Sequence, residues 1–104
     1  MGKQEEIRRI ARFIALAAVH KIGGLLNPSA IYAEKYKKEY GNFVQQAENI
    51  LIGRNWNRED KEEIKTEARK QAHDELKRRG YIAERKFDIL DRELGEVTGE
   101  MGID

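Results

Sequence analysis

The side chains that could do chemistry in this sequence are two imidazoles, three aliphatic hydroxyls and a run of carboxylates. Glu59, Glu62, Glu63 and Glu67 recur at helical spacing, as do Glu84, Asp88 and Asp91 further on. Two neighbouring helices carrying such rows can face carboxylates toward a divalent ion, which would make a metal-dependent hydrolase. Here the acids alternate with Lys61, Lys65, Arg69 and Lys70 at pairing distance, the pattern of a solvated, self-neutralising helix surface. His20 and His73 lack the Glu-x-x-His partner of a di-iron bundle and the second histidine of a zinc helix. Ser29, Thr66 and Thr98 stand in no nucleophile motif, and the chain has no cysteine and no glycine-rich phosphate loop. The expectation is a non-enzymatic protein with no cofactor.

Basic and aromatic residues raise a second possibility. Arg8, Arg9 and Arg12 form one cationic cluster, Lys35, Lys37 and Lys38 another, and Lys77, Arg78 and Arg79 a third, with tyrosines and Trp56 able to stack on bases. Contacts to nucleic acid are therefore assigned to Arg8, Arg9, Arg12, Lys77, Arg78 and Arg79, as for a small regulatory or genome-associated factor. The segment from Tyr36 to Ile50 also fits a helix-turn-helix with Gly41 at the turn, except that Lys37 stands where a small buried residue belongs. Net charge argues for less: it is only +1, rising to +3 over residues 1–27 and falling to −4 over residues 81–104. A basic beginning and an acidic end favour self-association at least as well as a polyanion.

These residues ride on helices. Ile7, Ile10, Ala11, Ile14, Ala18 and Ile22 share one face of a first helix over about residues 4–22, ended by Gly23-Gly24. Asn27-Pro28 opens a second helix over about 28–52, whose stripe of Tyr32, Tyr36, Tyr40, Phe43, Ala47 and Ile50 keeps one phase across Gly41, although a break there is the alternative. After the Gly53–Trp56 turn, Asn57 caps a third helix over 58–79, with Ile64, Ala68, Ala72 and Leu76 at four-residue steps. Trp56 either plugs the bundle end or faces a partner. A fourth helix, about 83–94, buries Phe87, Leu90 and Leu94, and Gly95, Gly99 and Gly102 predict a flexible acidic tail over 95–104. No segment alternates with period two. The fold class is all-α, an antiparallel three- or four-helix bundle forming a single domain over residues 1–94.

Leu76 to Phe87, continuing to Leu94, resembles the short C-terminal domain (SHOCT) family, in which a leucine-bearing helix ends at a glycine, an isoleucine follows, and a short helix presents a phenylalanine and then a leucine. Gly80, Ile82, Phe87 and Leu94 stand at the matching spacings, while Ala83 and Arg85-Lys86 depart from the family's capping hydroxyl and acidic pair. The likeness covers residues 76–94 only. What it implies is an interaction or oligomerisation module.

From Phe13 to Val19 the first helix is apolar around its whole circumference. A bundle of 104 residues hides roughly 60–70% of the unfolded chain's surface, which predicts that a second copy covers part of this girdle. The expected partner is another copy in a dimer, with a further protein partner as an alternative. Ile10, Ile14, Ala18 and Ile22 form the expected seam, with Phe87 and Leu94 contributing. Seven apolar residues fall far short of the ~20 that span a bilayer, and Glu5-Glu6 spoils a signal peptide, so the expected location is cytoplasmic, with no membrane partner.

Overall fold

A computed structural model describes residues 2–26, 30–80 and 84–103, with the side chains of residues 25–26, 30–33 and 84–87 outside that description. Four helices follow in order: α1 over Lys3–Leu26, α2 over Ala30–Leu51, α3 over Arg58–Arg78 and α4 over Glu84–Glu100. The fold is an all-α bundle, and no strand occurs among the described residues.

The helices do not form a square bundle, because α1 lies at the centre. On one side α2 runs antiparallel to it, as Phe13 meets Phe43 with ring centroids 6.4 Å apart and His20 meets Glu39. On another side α3 runs parallel to it: Lys3 pairs with Asp60, and Gln71 reaches the carbonyl of Arg8. Ala11, Ala15 and Ala18 on α1 and Ala68 and Ala72 on α3 are all buried, and these small side chains let the two helices approach closely. The third side is taken by α4, antiparallel to α3 and tied to it by Arg69 and Asp91 at 2.8 Å. By contrast, α2 packs essentially on α1 alone. The longest dimension, 40 Å, is close to that of a 24-residue helix at about 1.5 Å per residue.

Central placement explains the girdle and corrects the expected seam. Ile10, Ile14, Ala18 and Ile22 are 0% exposed within a single chain, so they cannot be where two folded copies meet. Each large side chain buried there stabilises the monomer by about 2 kcal/mol. Leu94 is likewise buried in the same core, and the side chain of Phe87 lies outside the described residues. Val19 is also fully covered, leaving only Phe13 and Leu16 of the apolar girdle half-buried.

Two glycine readings change as well. The first helix does not stop at Gly23-Gly24 but continues to Leu26. The ring of Tyr36 lies against this stretch, and a Cβ at Gly23 would sit 3.3 Å from it. These glycines therefore thin α1 for an aromatic neighbour instead of ending it. The predicted cap at Asn27-Pro28 falls outside the described residues. At the other end, α4 carries on through Gly95 and Gly99, and residues 95–103 are not a loose tail, while residue 104 lies outside the described residues. Val97 and Thr98 are buried, and Thr98 Oγ1 donates to the carbonyl of Leu94. Gly102 then adopts φ +70°, while the amide of Ile103 bonds to Thr98 O and that of Gly102 to Gly99 O. This Schellman arrangement reverses the chain and drops Ile103, 1% exposed, back onto the core.

Two further local expectations stand. Asn57 and Asp60 form a reciprocal capping box at 2.8 and 3.1 Å. Gly80 takes φ +80° just past α3. As α2 is continuous across Gly41, the helix-turn-helix reading loses its turn.

Candidate functional site

Three groups of residues merit description as sites. The first lies where α1, α2 and the end of α4 converge around a groove of about 400 Å³, lined by His20, Lys21, Gly24, Tyr36, Lys37, Tyr40 and Glu100. His20 is buried, with Nδ1 2.8 Å from the carbonyl oxygen of Leu16 and Nε2 2.7 Å from Glu39 Oε2. Both ring nitrogens face oxygens, so neither is open to a metal ion or a substrate. Lys21 reaches Glu93 at 2.9 Å and Glu96 at 2.5 Å, and its ammonium lies 5.7 Å from the centre of the Tyr40 ring. Partial burial pulls the Lys21 ammonium down, but hydrogen bonds to Glu93 and Glu96 and their charges outweigh it and raise its pKa. Tyr40 donates to Glu100 at 2.9 Å, and burial followed by this acceptor pushes its phenol up to about 12. Glu93, 3% exposed, is thus a buried carboxylate compensated by Lys21. Lys21 on α1 holds Glu93 and Glu96 of α4, and Tyr40 on α2 holds Glu100, so the cluster fastens α4 and α2 to α1.

The second group is the carboxylate rows of α3 and α4. Glu62 pairs with Lys65, Asp91 with Arg69, and Glu67 accepts from Gln71. Among the described residues no three His, Asp or Glu side chains gather as a metal site, which leaves the hydrolase reading without a ligand set there. His73 is half-buried on α3, and Ser29 lies outside the described residues.

The third group holds the arginines. Among the described residues α2 makes no more than marginal contact with α3, and Arg8 and Arg12 on the first half of α1 are exposed. A cleft of about 80 Å³ at this edge is lined by Arg12, Leu16, Gln71, Asp74 and Arg78, among others. The fold thus brings Arg12 and Arg78 together from residues 66 apart in sequence. It does not assemble the whole predicted basic set. Arg78 and Arg79 are both held by Glu75, at 3.1 and 3.0 Å, and Lys77 stands about 100° around α3 from Arg78. Neither Arg8 nor Arg12 nor Asp74 makes an ion pair among the described residues. Asp74 is the member that sequence reasoning missed: it reads as one more acid on a charged helix until the fold sets it beside Arg12.

Trp56 closes the end of the bundle. Its Nε1 donates to Leu51 O at 2.8 Å, and Arg54, paired with Glu6 at 2.6 Å, stacks 5.6 Å from the indole. No helix of the described residues is long and apolar enough to cross a membrane. Compared with protein-family models, curated proteins and solved structures, the chain matches none.

Proposed function

We propose that this chain is a non-enzymatic structural or adaptor protein that works by associating with copies of itself. The observation that carries the reading is the edge of α1 beside α3, where half-buried Leu16 sits among exposed charges of both signs that find no partner within the described fold. An apolar centre with a polar, solvent-accessible rim is the usual anatomy of a protein–protein contact. Several chemistry-bearing groups elsewhere are engaged internally, His20 by Leu16 and Glu39, Glu62 by Lys65 and Asp91 by Arg69. Sedimentation velocity across micromolar concentrations tests it: a concentration-dependent shift from monomer to dimer is expected, and a monomer throughout refutes it.

A second reading has its own observation. Arg8 and Arg12, without ion pairs among the described residues, stand on the same edge as Arg78 and could contact phosphates. Two or three such contacts give a salt slope of only about −2 to −3. A gel shift at low salt that vanishes with that slope supports nucleic-acid binding, and no shift removes it.

A further inference from the structure

Resting on the self-association reading, we propose that the α1–α3 edge is a two-fold contact between copies, in which Arg12 of each copy meets Asp74 of the other across apposed Leu16 side chains. Both residues line one small cleft, yet neither is ion-paired among the described residues. The neighbouring guanidinium of Arg78 is already held by Glu75 at 3.1 Å, so it does not answer Asp74. An unmatched cation beside an unmatched anion is a patch complementary to itself. In an isologous contact residue i of one copy meets j of the other and j meets i, so one such patch yields two ion pairs.

Other occupants match the charges less well. A nucleic-acid backbone laid over this edge brings phosphates against Asp74 and Glu75, and an acidic peptide satisfies Arg12 but repels Asp74. A second copy satisfies both. The cleft, about 80 Å³, has room for roughly one side chain, and half-buried Leu16 forms part of its wall. The helix behind it needs no further cover, since Val19 and Ile22 are fully enclosed by the chain's own fold. The contact is therefore narrow. Exposed ion pairs fix register more than they add affinity, so Leu16 supplies the apolar centre and the expected association is weak.

Sedimentation velocity on the full chain tests this with four proteins: wild type, Arg12→Asp, Asp74→Arg, and the double variant. Both positions are exposed, and circular dichroism checks that each variant keeps its helix content. Each single change sets like charges against each other and should weaken the dimer about tenfold or more. The double variant restores opposite charges and should recover wild-type association. Mixing the two single variants should restore a dimer that neither forms alone, because each then meets its opposite. Leu16→Glu should abolish the dimer in every background. A dimer insensitive to Arg12→Asp, Asp74→Arg and Leu16→Glu alike overturns this seam while leaving self-association standing. A monomer at every concentration overturns both, and a monomer that binds short duplex DNA through Arg12 transfers the edge to the nucleic-acid reading.

Discussion

Replacing Ile103 by alanine separates a packed end from a loose one. The isoleucine is 1% exposed and follows the Schellman turn at Gly102. The change removes three carbons, which at about 0.8 kcal/mol per buried methylene amounts to about 2.4 kcal/mol of lost transfer energy. A cavity adds to this, but a residue in a terminal turn can collapse inward, so the total belongs near the low end of the 2–5 kcal/mol typical of Ile→Ala. A domain of this length has an unfolding entropy of about 0.22 kcal/mol per kelvin at the midpoint, which converts 2.4 kcal/mol to a fall in Tm of roughly 11 °C. Thermal unfolding by circular dichroism reads this directly, and urea titration at unchanged m-value confirms that stability alone has moved. A fall smaller than about 2 °C would show that residues 101–103 do not pack on the core in solution, and the reasoning about α4 would fail.

Gly41→Ala should stabilise the chain by about 1 kcal/mol, because a Cβ there meets nothing within 4 Å and the helix is unbroken; Gly80→Ala, at φ +80°, should destabilise it by about 1 kcal/mol, and paired urea titrations read the opposite signs. Asn57→Ala removes the reciprocal cap of α3 and should cost about 1 kcal/mol by the same titration, whereas Asn57→Ser should retain most of it. Alkaline pH should loosen the α1–α2–α4 cluster. Lys21 and Tyr40 both have pKa values raised above their ordinary 10.5 and 10.0, so the folded state holds these protons more tightly and the stabilisation is intact below pH 10. It is lost as pH climbs toward about 12, where the folded Tyr40 ionises; Tyr40→Phe should remove the tyrosine share of that slope in chemical denaturation, and an unaltered slope contradicts the assignment.

Much of the fold is written in period and spacing. The stripes of Ile7–Ile22, Tyr36–Ile50 and Ile64–Leu76 predict three helices and their inner faces, and Asn57 predicts a cap that the structure contains. Where the reading failed, the missing information was non-local. Gly23-Gly24 looks like a terminator because glycine disfavours helix, and only the arrival of Tyr36, thirteen residues later than Gly23, gives it another purpose. An all-round apolar helix reads the same whether its own chain or a second one encloses it, so Phe13–Val19 could not reveal that α1 is central. The end of α4 did carry a signal, since Val97 and Met101 continue the spacing of Leu90 and Leu94. Gly95 and Gly99 between them, and Gly102 just after, hid it. The candidate site was half visible: the arginines stand out by type, but nothing local distinguishes Asp74 from its acidic neighbours.

Among the described residues α2 is held mainly by α1, with one hydrogen bond to the end of α4, which gives the molecule unequal halves. With α1, α3 and α4 packed on one another, α2 can detach as a unit without opening the rest, through loss of the Phe13–Phe43 stack, the His20–Glu39 pair and the Tyr40–Glu100 bond. Amide hydrogens of α2 should therefore exchange with deuterium well before those of α1, through a partly open form that is a three-helix remnant with one greasy flank laid bare. Such a form is sticky by construction.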